Sequence, residues 1–181
     1  MEKIIIVVAV LPLISALLIQ LFAGQMGRGI ARLSVAFTTV SFLLAVVLLS
    51  LSLAGHDPLA ITLGNSTAIM LFDPLSTLLA TIILGISLIV HLYSVRYMAE
   101  EDAYGQFFVL LDLMTAALLF MVIAGDLVTL VIAWYLVGVL LYFLLGHDTR
   151  SQTAYRFAFW TLITYRIGDI PLILAAALLF N

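Results

Sequence analysis

Cysteine is absent from the chain. That excludes a disulfide framework, a thiolate metal site and an iron–sulfur cluster built on these residues. Charge is also scarce: Asp, Glu, Lys and Arg make up 9% of the sequence, against roughly 25% in an ordinary soluble protein. The net charge is −3 with no cluster of Lys and Arg, which argues against nucleic acid, whose binding surfaces are strongly basic. No nucleophile triad, glycine-rich phosphate loop or metal-ligand spacing stands out. No cofactor is therefore expected on this chain, and no catalysis by the chain alone. No internal repeat is visible.

What is present is apolar sequence. Hydrophobic residues account for 65% of the chain and the mean hydropathy is +1.29, which makes this an integral membrane protein with lipid as its surroundings. Apolar runs at about 4–23, 33–54, 74–95, 104–124, 127–146 and 155–180 are each close to the roughly 20 residues that cross a bilayer. They predict an all-α membrane protein, a single domain of six transmembrane helices over 1–181. The first run is not read as a signal peptide, because Glu2-Lys3 is not strongly positive and Arg28 and Arg32 follow the run rather than precede it.

Between the second and third runs lies the longest stretch without helical pattern. After His56-Asp57-Pro58, two short alternating segments flank Gly64-Asn65-Ser66, a hairpin signal. Asp73-Pro74 then supplies a helix N-cap with proline at the first helical position. Asp126 and Asp148 are read in the same way, as a cap and a loop charge.

The charges inside the apolar runs carry the functional expectation. Arg166 and Asp169 stand three residues apart near the middle of the last run, a spacing that puts them on one helix face. An unpaired charge at that depth costs about 3 kcal/mol or more, so the two are read as a pair: a charge switch in an ion path, or a structural tie to a neighbouring helix. Pro171 denies that helix one backbone hydrogen bond just beyond the pair. Asp112 lies about 12 Å along the fourth helix by its rise per residue, deep enough to be a protonatable relay or a helix-packing group. His91 is either a proton shuttle or an interfacial anchor in company with Tyr93, Arg96 and Tyr97. Tyr135 and Tyr142 share a face of the fifth helix with Gly138 between them, a pattern of helix packing.

Orientation follows from the basic residues in short loops. Arg28, Arg32, Arg96, Arg150 and Arg156 fall on one side and Lys3 on the other. The basic loops are therefore expected in the cytoplasm, with both termini and the hairpin on the outer side of a cell inner membrane.

Taken in order, Phe72-Asp73-Pro74-Leu75-Ser76, His91-Leu92-Tyr93-Ser94-Val95-Arg96-Tyr97-Met98, Phe107-Phe108, Gly125-Asp126-Leu127, Ala133-Trp134, Val137-Gly138 and Arg166-Ile167-Gly168-Asp169 resemble the N-terminal part of the complex I antiporter-like superfamily. That group includes the distal large membrane subunit of complex I, the large subunit of Mrp antiporters, and DabB-type components of inorganic-carbon-accumulating complexes. The resemblance implies a subunit coupling proton or cation movement to a partner. Its expected partners are a membrane half that completes the antiporter fold and a soluble zinc or redox subunit. It also implies a glutamate after the fifth-helix tryptophan in proton-pumping members, a position held here by Tyr135. That departure leans the reading toward the DabB type, while Arg166-Ile-Gly-Asp169 looks more like the complex I form. A structural or assembly role without ion conduction is the third reading. Asp112, on the span adjacent to the missing glutamate, is the candidate to replace it.

Overall fold

The computed structural model describes residues 2–27, 29–54, 59–63, 67–101, 103–147 and 151–179. Six helices account for most of them: α1 (Glu2–Met26), α2 (Gly29–Leu53), α3 (Pro74–Tyr97), α4 (Tyr104–Val122), α5 (Leu127–Leu145) and α6 (Gln152–Leu179). Two strands, β1 (Leu59–Leu63) and β2 (Thr67–Phe72), pair antiparallel between α2 and α3. The chain is thus mainly helical but not wholly so. The expected turn residues Gly64, Asn65 and Ser66 lie outside the described residues, as do His56, Asp57, Pro58, Arg28, Asp148 and Arg150.

Among the described residues, α2 through α6 are each long and apolar enough to cross a membrane; in α1 the apolar stretch is Ile6–Phe22. Helix α2 starts at Gly29, ahead of the expected position 33. An apolar run marks what lipid can cover, whereas the backbone ladder continues through Ile30-Ala31-Arg32, all compatible with helix. The tight α1–α2 connection passes through Gly27 at φ 51°, a conformation that glycine adopts without a Cβ penalty. Pro171 lies inside α6, which continues to Leu179.

Helices α1, α2, α3 and α4 pack against one another, α5 lies on α4, and α6 lies on α5. The interior of the four-helix cluster divides into layers. One apolar layer, at the hairpin end, holds Val8, Ala45, Leu48, Leu84, Leu119 and Ile123. Another, at the opposite end, holds Ile19, Ile30, Ala31 and Phe108. Close approach of α2 and α3 uses Gly85, where an added Cβ would come within 3.2 Å of the Phe42 ring.

The strand pair is stitched to the cluster. Leu71 N–H donates to Ile123 O at 2.8 Å, joining β2 to the end of α4. Asp73 caps α3 with a reciprocal pair: its carboxylate accepts from Ser76 N–H at 2.7 Å, and its own N–H donates to Ser76 Oγ at 2.9 Å. Pro74 follows at the first helical position, where its missing N–H is not needed. Asp126 caps α5 by accepting from Thr129 N–H and Thr129 Oγ1, both at 2.8 Å.

Candidate functional site

The intramembrane charges separate into two groups. The first is built by four helices around Asp112, whose side chain is fully buried. Its Oδ2 accepts hydrogen bonds from Ser15 Oγ of α1 at 2.6 Å and Ser34 Oγ of α2 at 2.9 Å. Its Oδ1 lies 3.0 Å from His91 Nε2 of α3, also fully buried. His91 therefore does not act as the interfacial anchor that its position near Tyr93, Arg96 and Tyr97 suggested. Tyr93 and Tyr97 are exposed, whereas the ring of His91 points inward on the opposite face of α3.

Donor and acceptor chemistry constrains the protons of this group, in which His91 Nδ1 also lies 3.2 Å from Ser87 Oγ. His91 Nδ1 is 2.7 Å from Ser87 O, and a carbonyl only accepts, so Nδ1 carries a hydrogen. Thr115 Oγ1 donates to Leu111 O at 2.9 Å. Ser87 Oγ, 2.6 Å from Thr115 Oγ1, is then the donor in that contact. With Nδ1 protonated, the Nε2 to Oδ1 contact needs one hydrogen to be attractive. Either a protonated Asp112 donates to a neutral imidazole, or an imidazolium donates to the carboxylate. Both forms hold one shared proton and both are neutral as a pair. That neutrality lets the site sit in an apolar interior, where an isolated ion would cost several kcal/mol. Ser87 and Thr115 are buried as well, so the network is closed off from water. On α2, one turn beyond Ser34, Thr38 Oγ1 is buried without a hydrogen-bond partner among the described residues.

The second group joins α5 and α6. Arg166 Nη1 lies 2.9 Å from Asp169 Oδ2, close enough for an ion pair although the contact is not aligned as a hydrogen bond. Trp134 Nε1 donates to Asp169 Oδ1 at 2.8 Å. The guanidinium lies over the Tyr135 ring, 3.7 Å from its centroid, and Nη2 donates to Tyr135 O at 3.2 Å. Tyr135 thus faces the cation with an aromatic surface. Gly138 seats the same guanidinium, since a Cβ there would stand 2.5 Å from Arg166 Nη2. Its contribution is room for a charged side chain, beyond the helix packing expected from its spacing. An apolar cavity of about 210 Å³ adjoins Asp169, lined by Met121, Trp134, Val137, Gly138, Leu141 and Tyr165.

No hydrogen bond or ion pair among the described residues joins the two groups. Asp112 makes its side-chain hydrogen bonds to α1, α2 and α3 and, among the described residues, none to α5. The hydroxyls of Ser15, Ser34, Ser87 and Thr115 are not singled out by the sequence alone. Signals exist for two of them: the four-residue spacing of Ser87 and His91, and Ser15 as a lone hydroxyl between apolar residues of α1.

Comparison with known proteins adds an independent line. Residues 61–108 match the family described as NADH-Ubiquinone oxidoreductase (complex I), chain 5 N-terminus, and residues 124–181 match NADH:quinone oxidoreductase/Mrp antiporter, TM. The chain is 53% identical over 176 residues to "Probable inorganic carbon transporter subunit DabB1" of Halothiobacillus neapolitanus, covering 96% of this chain and 31% of that protein. It is 26% identical over 175 residues to "F(420)H(2) dehydrogenase subunit L" of Methanosarcina mazei, covering 94% of this chain and 26% of that protein. It is 36% identical over 104 residues to the chloroplastic "NAD(P)H-quinone oxidoreductase subunit 5" of Anthoceros angustus, covering 58% of this chain and 14% of that protein. The chain therefore spans less than a third of the length of these relatives.

Proposed function

The chain belongs to the complex I antiporter-like superfamily, and from that premise we propose that it is the N-terminal membrane portion of a subunit coupling proton or cation movement to a partner. The assembly we infer is a DabB-type one that accumulates inorganic carbon. Identity of 53% along nearly the whole chain supports that choice, and so does Tyr135 in place of the pumping members' glutamate. The observation that carries the ion-coupling reading is the His91–Asp112 pair, 3.0 Å apart at full burial.

In this reading all six helices cross a cell inner membrane, with the termini and the hairpin outside and the basic loops in the cytoplasm. The partners are the helices that complete the antiporter fold and a soluble zinc protein that supplies the carbon chemistry. No cofactor resides on this chain. Asp112 with His91, and Arg166 with Asp169, are the ion-path groups. The proton shared at Asp112 sets the charge of one group; the Arg166–Asp169 pair responds through the α4–α5 contact.

The test is Asp112→Asn and, separately, Asp169→Asn in the assembled complex, with assembly followed by copurification of the soluble zinc protein. Loss of uncoupler-sensitive carbon uptake with assembly retained is expected. Full uptake by both assembled variants would reject ion coupling and leave a purely structural role. A second reading, the distal proton-pumping subunit of an NADH dehydrogenase-like assembly, is favoured by the Arg166–Asp169 pair. Copurification of redox proteins instead of a zinc protein would select it.

A further inference from the structure

We infer that the proton shared by His91 and Asp112 exchanges with water at the end of the bundle where α1 meets α2 and α3 meets α4, and that Phe108 is the residue that closes this route. The inference rests on the ion-coupling reading for its purpose, but its geometry stands on packing alone.

The polar network lies nearer that end. Counting along α4, Asp112 is eight residues from Tyr104, about 12 Å of axis. On α3, His91 is six residues from Tyr97 but seventeen from Pro74, about 9 Å against 26 Å. On α2, Ser34 is five residues from Gly29 and nineteen from Leu53. The apolar layer on the short side is one turn thick. Ile19 follows Ser15 by four residues, Ile30 precedes Ser34 by four, and Phe108 precedes Asp112 by four. Each lies on the same helix face as its polar neighbour.

Phe108 is the bulkiest member of that layer and is fully buried. Its ring centroid lies 6.1 Å from that of His91 on one side, and 5.1 Å and 5.6 Å from those of Tyr104 and Phe107 on the other. It therefore separates the imidazole that carries the proton from the aromatic residues opening α4. Tyr104 Oη donates to Val95 O at 3.3 Å, which holds the α3 and α4 ends together around the ring. Toward the hairpin the barrier is thicker: Leu84, Ala45, Leu48 and Leu119 form a layer backed by Phe72 of β2. The route that needs the least displacement passes Phe108.

The absence of cysteine from this chain gives a direct test. Thr38→Cys places a thiol at a fully buried position on α2, beyond Phe108 as seen from the α1–α2 end, without removing any partner of Asp112. The assembled complex in sealed membrane vesicles of each orientation is treated with 2-aminoethyl methanethiosulfonate, and modification is read by mass on the peptide containing residue 38. Glu101→Cys, in the exposed α3–α4 connection, marks the side. Phe108→Ala is expected to speed the reaction at position 38 at least tenfold from the Glu101 side and to leave the opposite side unchanged. Phe108→Leu, which keeps an apolar filler should alanine prevent assembly, is expected to speed it about threefold. Leu84→Ala is expected to leave the rate from the Glu101 side unchanged.

Acceleration from the hairpin side, acceleration from both sides alike, or no change with either Phe108 variant overturns the proposal. Equal acceleration by Leu84→Ala from the Glu101 side does the same. Accessibility does not depend on transport. Assembled Asp112→Asn and Asp169→Asn complexes that both remain active therefore remove the ion-coupling reading without touching this result.

Discussion

The two charged groups solve the same problem in opposite ways. Around Asp112, four helices contribute hydroxyls and an imidazole until every oxygen of the carboxylate has a partner and nothing is exposed. Around Arg166, α5 supplies a tyrosine ring, a carbonyl and a glycine seat, and the arginine side chain keeps a quarter of its surface exposed. The first arrangement is complete within the chain. The second is open on the lipid or partner side, where α6 presents Ile167, Ile170 and Leu174. The difference shows that neutrality can be built from one shared proton or from two permanent ions.

The strongest way to break the comparison is at Asp112. Alanine there strands Ser15, Ser34 and His91 in the interior, and breaking a buried pair costs about 3–5 kcal/mol; thermal unfolding of the purified complex reads this as a large loss. Asparagine is expected to behave differently. Its carbonyl accepts from both serines and its amide donates to a neutral His91 Nε2, copying the protonated acid. Stability within about 1 kcal/mol of the parent together with lost coupled transport would show that the site needs a mobile proton as well as a filled volume.

At the second group, Gly138→Ala drives a methyl against Arg166 Nη2. Overpacking of this kind costs about 1–3 kcal/mol. If the guanidinium is what is displaced, Arg166→Gln in the same background should recover much of the loss, and a double-mutant cycle measures it. Tyr135→Leu removes the ring beneath the cation and should cost about 0.5–1 kcal/mol, the range for a partly exposed cation–π contact. Tyr135→Phe, which keeps the ring, should be near neutral.

The smallest effect is expected at the caps. The Ser76 N–H holds the Asp73 carboxyl below its ordinary 3.8, and the Thr129 N–H does the same for Asp126. A carboxyl lowered by folding stabilises the fold above its unfolded value, and that contribution fades as pH falls through the lower folded value. Acid titration below about pH 3.8 should therefore loosen the starts of α3 and α5. Hydrogen exchange at Ser76 and Thr129 would show it, and Asp126→Ala should flatten the response at Thr129.

The same contrast explains what the sequence could reveal. Apolar run length and the Asp73-Pro74 cap announce helices, because lipid and the backbone ladder impose those rules on each segment alone. Arg166 and Asp169 are legible as a pair for a similar reason, since three residues on one helix bring them together whatever surrounds them. His91 and Asp112 are twenty-one residues apart on different helices, so their contact depends on how α3 meets α4. Near Tyr93 and Arg96 the histidine reads as interfacial; only packing turns its ring inward. Ser15 is further still, ninety-seven residues from its acceptor. A lone hydroxyl in an apolar helix does not say which neighbour it will serve. Gly138 likewise reads as generic helix packing until Arg166 is seen to lie against it.

The stitching of the hairpin bears on how such a site can move. The His91–Asp112 pair is divided between α3 and α4, which are fastened by Tyr104 to Val95 at one extremity and, through β2 just ahead of α3, by Leu71 to Ile123 at the other. Sliding α3 along α4 would tear both fasteners at once. Under the proposed coupling, a proton handed onward would move by rotation of side chains within that frame, a motion small enough to recur many times without the helices changing places.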